Sequence, residues 1–290
     1  MPGRMPRIAS VPLLAALLCA LVGCAPDESD SLPAGVEVSV RQNRPDTEDR
    51  RLQIRITNGS DAPLTVTAVE FSSPRFADPA PYQKAPSTVR AGGVLDLPVS
   101  LPPPVCEASD GTAEVHLDFE LDSGRSGSVS VVPDDPLDQL DGISERDCLD
   151  HAMEAVAVIT EPNEIRVEPV DGRLVAFVDL LVTPSGGPGS FTIRSVDDTV
   201  LFGLFDPASD IPVVSLPIGL TVHGDDEPGT LTIPLVPSRC DAHAVAEDKR
   251  GTLLPLRVDV RDASGIRYFA LSDERKGELY SYLNRACAKR

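Results

Sequence analysis

The sequence contains no tryptophan and few other aromatics, eight phenylalanines and four tyrosines in 290 residues. Proline and glycine, by contrast, number 28 and 21. Such a composition excludes a helical bundle and fits short strands joined by many turns. Lysine is scarce as well, four of the 26 basic residues, and 45 acidic residues leave a formal net charge of −19. Phosphate recognition needs a basic footprint, and no Lys/Arg stripe is present, so nucleic acid is excluded as a partner. The anionic surface of a bilayer would likewise repel the body of the chain.

Motifs of known chemistry are missing too. HExxH, GxSxG, GxGxxG and the phosphate-binding P-loop do not occur. The absence of CxxC removes the usual zinc-ligand spacing. The histidines are scattered at His116, His151, His223 and His243; a metal site would have to join His223 to His243 across the chain. Ser126, in "GRSGS", has the setting of a hairpin loop and not of a nucleophile elbow. The acidic clusters Asp46–Asp49, Asp134–Asp141 and Asp225–Glu227 lack the calcium-loop pattern of an EF-hand. Asn58-Gly59-Ser60 is a formal glycosylation sequon but reads first as a turn. No catalytic residue, metal ligand or cofactor is therefore expected, and the chain reads as a non-enzyme.

What is present begins at the N-terminus. Arg4 and Arg7 precede an uncharged, mostly apolar stretch, Ile8 to Val22, which is too short for a comfortable transmembrane helix and right for a secretory signal. It ends in Leu21-Val22-Gly23-Cys24. This ending resembles the bacterial lipobox, in which a lipoprotein signal peptidase cuts before the cysteine. The resemblance implies a signal peptide over 1–23 and lipidation of Cys24, with palmitate-type acyl chains holding the mature chain in a bilayer; two or more chains anchor where one would not. Residues 24–35 are acidic, patternless and hold two prolines, as a flexible tether would.

The mature body carries an internal repeat. "LPVSLPPPVCEA" (97–108) and "LTIPLVPSRCDA" (231–242) match at Leu97 and Leu231, Val99 and Ile233, Leu101 and Leu235, Pro103 and Pro237, and Cys106 and Cys240. Each is followed by a strand-like segment ending in Ser-Gly, then by a helical-looking segment carrying Cys148 or Cys287. This predicts a duplication of about 140 residues, with repeats over 36–152 and 153–290. With Cys24 lipidated and Cys19 lost with the signal, four cysteines remain, which allow three pairings. Order within the repeat selects Cys106–Cys148 and Cys240–Cys287.

Alternation gives the architecture. "LQIRIT" sets Leu52, Ile54 and Ile56 on one face, and "EVHLDFEL" sets Val115, Leu117, Phe119 and Leu121 against Glu114, His116, Asp118 and Glu120. Six to eight such strands per repeat predict an all-β chain of two tandem immunoglobulin-like β-sandwiches, each ending in a short helical segment. In the first segment Asp135 would cap, with Leu137, Leu140 and Ile143 facing inward. In the second Ser272 would cap, with Leu279, Tyr282, Leu283 and Ala286 on one face. The proline-rich middles of the repeats, 72–89 and 195–220, are either core filling or an apolar contact surface.

The expected function is that of a lipid-anchored, extracytoplasmic lipoprotein, a non-catalytic binding or structural module of the cell envelope. Its partners would be the bilayer, through Cys24, and an envelope protein or wall component. A ligand- or cation-binding accessory to a transporter is the alternative, and a hydrolase with dispersed site residues is a third class.

Overall fold

The computed structural model describes residues 31–107, 111–209, 211–241, 243, 245 and 252–288. Cys24, the expected signal segment and most of the expected tether lie outside the described residues. The described residues are mostly β, 49% strand and 14% helix, in several antiparallel sheets.

The first half builds eight strands. They are β1 (Val36–Arg41), β2 (Arg51–Asn58), β3 (Leu64–Ser72), β4 (Ala80–Pro81), β5 (Ser87–Val89), β6 (Gly93–Ser100), β7 (Glu114–Leu121) and β8 (Ser126–Val131). One sheet has the order β1-β2-β6; the other has β4 and β5 beside β3, then β7 and β8. Val38, Leu52, Ile54, Ile56, Leu97 and Val99 on the first sheet and Val66, Phe71, Val115, Leu117 and Phe119 on the second fill one buried core. The period-two pattern of those segments makes this burial possible, because alternate side chains stand on one face.

The second half builds nine strands. They are β9 (Ala157–Thr160), β10 (Arg166–Val170), β11 (Arg173–Pro184), β12 (Ser190–Asp197), β13 (Phe202–Leu204), β14 (Ser215–His223), β15 (Gly229–Pro237), β16 (Leu253–Val260) and β17 (Ala263–Ala270). Their orders are β10-β11-β15-β13, with β9 also on β11, and β14-β12-β16-β17. Val178, Leu180, Phe191, Ile193, Leu231, Ile233, Leu256 and Val258 lie in a second buried core.

Two 15-residue α-helices lie among the described residues, α1 (Leu140–Glu154) and α2 (Asp273–Cys287). In α2 Ser272 caps as its sequence predicts: its hydroxyl accepts from the Arg275 N–H at 3.3 Å, Asp273 and Glu274 lie in the first turn, and both features favour a helix start. The first helix departs from expectation. Asp135 does accept from a backbone N–H, that of Leu140 at 2.8 Å, but Leu137 precedes the helix and is 64% exposed instead of inward. The helix also runs past Cys148 to Glu154. Ile143 packs into the first core, whereas Leu149 and Met153 pack into the second. α1 thus belongs to both cores.

Candidate functional site

The four cysteines sit where late strands meet helices. Cys106 follows β6 and bonds Cys148 in the middle of α1, with Cα atoms 5.4 Å apart. Cys240 follows β15 and bonds Cys287, the last residue of α2, with Cα atoms 5.6 Å apart. Cys287 thus closes its helix while Cys148 lies within its own, because α1 continues into the second core. Both sulfur pairs are engaged, so neither Cys106 nor Cys240 offers a thiolate. Disulfides fit an oxidising, extracytoplasmic compartment. No helix among the described residues is long and apolar enough to cross a membrane.

A strongly charged concavity lies along α1, where the two halves meet. A cleft of about 280 Å³ is lined by Glu48, Arg50, Arg146, Asp147, Asp150, Arg267 and Tyr268. Arg50 donates to Asp147 at 2.8 Å and to the Pro102 carbonyl at 2.7 Å. Arg146 donates to the Gln42 side chain at 2.7 Å. Arg267 stands 3.2 Å from Glu154 and 3.6 Å from Asp150. Lys276 of α2 reaches Glu48 at 3.5 Å across the cleft. Burial pushes the Asp150 carboxyl up to about 6, against the opposing pull of Arg267. Each arginine lining the cleft is already engaged by the protein, which leaves little to hold an anion. The arrangement is that of a polar joint.

A Ser–His–Asp grouping stands on the outer face of β7 and β8. Ser128 donates to Asp118 at 2.6 Å, the His116 ring lies 3.3 Å from Ser128 and 3.2 Å from Ser130, and its Nε2 lies 3.3 Å from Asp118. His116 and Asp118 side chains are 46% and 41% exposed. Triad chemistry needs a base held against the nucleophile and donors for an oxyanion in a water-excluded site. Here one nitrogen is shared between serine and aspartate on an open sheet, so the grouping is a cross-strand network of the kind that stabilises sheets. Sequence reasoning placed His116 on this face but could not see the serines of β8 beside it.

The remaining candidates are local. Asn58 is fully buried. Its side chain donates to the Ala62 and Val89 carbonyls at 2.9 and 3.1 Å and accepts from the Ser60 N–H, so the sequon is a turn clamp. Among the acidic clusters, Asp46 accepts from the Asn43 N–H at 3.1 Å and Asp226 from the His223 N–H at 2.7 Å. His151 is exposed on α1, and His243 is exposed among the described residues after Cys240. Among the described residues no three His, Cys, Asp or Glu side chains converge as a metal site would. In the 195–220 stretch Leu201, Phe202, Leu204 and Phe205 are buried, whereas Val200, Ile211 and Val214 are 54%, 70% and 71% exposed.

No protein-family model matches the sequence, and no curated protein is significantly similar to it. Solved structures similar to it in part include the red sea bream transglutaminase, at 10% identity and a TM-score of 0.24, with 83% of this chain and 32% of that one covered. The calcium-binding domain CBD12 of CALX1.1 matches at 9% identity and a TM-score of 0.19, over 83% of this chain and 88% of that one. The Pseudomonas aeruginosa CupB2 chaperone matches at 14% identity and a TM-score of 0.18, over 77% and 94%. The chain spans about a third of the transglutaminase. At these scores none of the likenesses assigns a function.

Proposed function

We propose that the chain is a lipid-anchored, extracytoplasmic lipoprotein: two tandem immunoglobulin-like sandwiches held off a bilayer through Cys24 to bind a protein or wall component, without catalysis. The observation that carries this reading is the pair of crosslinks, each tying the segment after a late strand to a helix. Downstream of a lipobox-like signal, such bonds belong to a body built for export.

Several details support the tandem reading. The order β1-β2-β6 recurs as β10-β11-β15, and β5-β3-β7-β8 recurs as β14-β12-β16-β17. A bulge interrupts β3 against β7 between Val66 and Ala68, and another interrupts β12 against β16 between Ile193 and Ser195. One residue before each, Thr65 meets Thr88 at 3.1 Å and Thr192 meets Thr221 at 2.9 Å. Bulges are positional features of a family's sheets, so their recurrence favours descent from one module. The joint along α1 supports a body that presents both modules in a fixed relation.

Cell fractionation tests the anchor. The wild-type chain is expected with membranes and released only by detergent, while Cys24→Ser is expected to accumulate unprocessed or free. A wild-type chain found free in the soluble fraction contradicts the proposal.

A further inference from the structure

Among the described residues the outer edge of β8 is unpaired, and its geometry specifies what could close it. The hairpin between β7 and β8 turns through Leu121–Arg125, with the Leu121 N–H donating to the Arg125 carbonyl at 2.8 Å and the Gly124 N–H to the Leu121 carbonyl at 2.8 Å. Hydrogen-bonded pairs alternate along an antiparallel ladder. From the Leu121–Arg125 pair the bonded positions are Phe119 with Gly127, Leu117 with Val129 and Val115 with Val131. The N–H and C=O groups of Ser126, Ser128 and Ser130 therefore point away from β7. β8 ends its sheet, and among the described residues no strand pairs with that edge.

The other sheet-ending strands longer than four residues are protected. β6, β10 and β14 carry Pro98, Pro169 and Pro217, which remove ladder donors. β17 carries Arg267. β1 carries Glu37 and Arg41, and Asp134 already bonds its Val38 carbonyl at 3.0 Å and its Val40 N–H at 2.8 Å. Among described sheet-ending strands longer than four residues, β8, "SGSVSV", alone has neither proline nor charge. Exposed edges of this kind are templates for another strand.

The neighbouring face sets the chemistry of that strand. Register places Glu70, Glu114, Asp118 and Glu120 on the outer face of β3 and β7, with no lysine or arginine among the outward positions. A strand added to β8 would lie two strand spacings, about 9.5 Å, from β7, within reach of long basic side chains. On its other face it would cover Val129 and Val131, which pack only partly against the core.

We propose that β8 docks an extended segment of a partner protein with basic residues alternating with apolar ones, added as an antiparallel strand. This names a partner class for the binding role proposed above and rests on that role. The probe is a Gly-flanked peptide of alternating Lys and Val, with alternating Glu and Val as its counterpart, titrated against the full-length chain. Binding should protect the Ser126, Ser128 and Ser130 amides from hydrogen exchange, favour the Lys peptide by about tenfold or more, and weaken with salt. Ser128→Pro should abolish it, since the lost N–H faces solvent and the native ladder is untouched. Ser128→Lys does the same by charge, should the proline variant fail to fold. Absent protection, equal binding of the Glu peptide, or binding unchanged in both variants overturns the proposal. So does a dimer of this chain closed through β8 and lost in Ser128→Lys, which would make a second copy the occupant. A chain that fractionates with membranes but ignores the Lys peptide overturns the docking edge and leaves the anchored binding role standing.

Discussion

Replacing Tyr282 by phenylalanine should destabilise the second half by about 2 kcal/mol, the cost of stranding a buried acceptor. Tyr282 is fully buried and stacks on Phe202, with ring centroids 6.2 Å apart. Its hydroxyl lies 2.8 Å from the Leu174 carbonyl and 2.9 Å from the Leu235 carbonyl. Leu235 pairs with Ala176 in the β11–β15 ladder. The next bonded position along that ladder would set Leu174 against Pro237, which has no N–H to give. The hydroxyl of α2 thus supplies a donor that the strand lacks. Phenylalanine keeps the ring and removes the hydroxyl, so the change separates its hydrogen bonding from the packing. Thermal melts should fall by roughly 4–8 °C for a unit of this size. Tyr82→Phe, whose hydroxyl makes a single partly exposed contact of 3.4 Å with Ser87, should stay within about 0.5 kcal/mol. If Tyr282→Phe melts with the wild type, the hydroxyl is not satisfying Leu174 and the reasoning fails.

Other outcomes follow from the same packing. Cys240→Ser with Cys287→Ser opens a crosslinked span of 47 residues and should cost about 4 kcal/mol by chain entropy, read as a lower denaturant midpoint. Leu279→Ala, at a fully buried position of α2, should cost about 2–5 kcal/mol by the same assay. Asp150 carries a carboxyl raised to about 6 by burial, so its native form holds a proton more tightly than the unfolded chain does. Its ionisation opposes folding increasingly as pH rises from about 4 to 6. Asp150→Asn should therefore raise the melting temperature at neutral pH, and the gain should vanish below about pH 4. A gain that persists at pH 3 would locate the effect elsewhere.

Strands with clean alternation were legible in the sequence. Leu52, Ile54 and Ile56 point into the core from β2, and Val115, Leu117 and Phe119 do so from β7, because one buried face leaves a period of two. The N-cap of α2 was equally plain, since Ser272 and the acids after it act locally. α1 was not. Its apolar residues serve two cores in turn, Ile143 one and Leu149 and Met153 the other, so no single stripe runs its length, and Gly142 weakens its start. The misplaced Leu137 has the same origin, a helix register extended one turn too early. The paired bulges, the serine edge of β8 and the task of the Tyr282 hydroxyl depend on register between distant strands, which composition and periodicity do not encode. The joint charges Arg50, Asp147, Asp150 and Arg267 were invisible for that reason too: each looks like ordinary surface until α1 is set against β17.

Export and lipid attachment at Cys24, as proposed above, both leave a mark on one peptide. Mass spectrometry of the N-terminal peptide from membrane-extracted protein tests them most directly. A mature chain that begins at Cys24 and carries diacylglycerol on its sulfur is expected. An intact Gly23–Cys24 bond, or a mature N-terminus elsewhere with no lipid, would contradict the proposal.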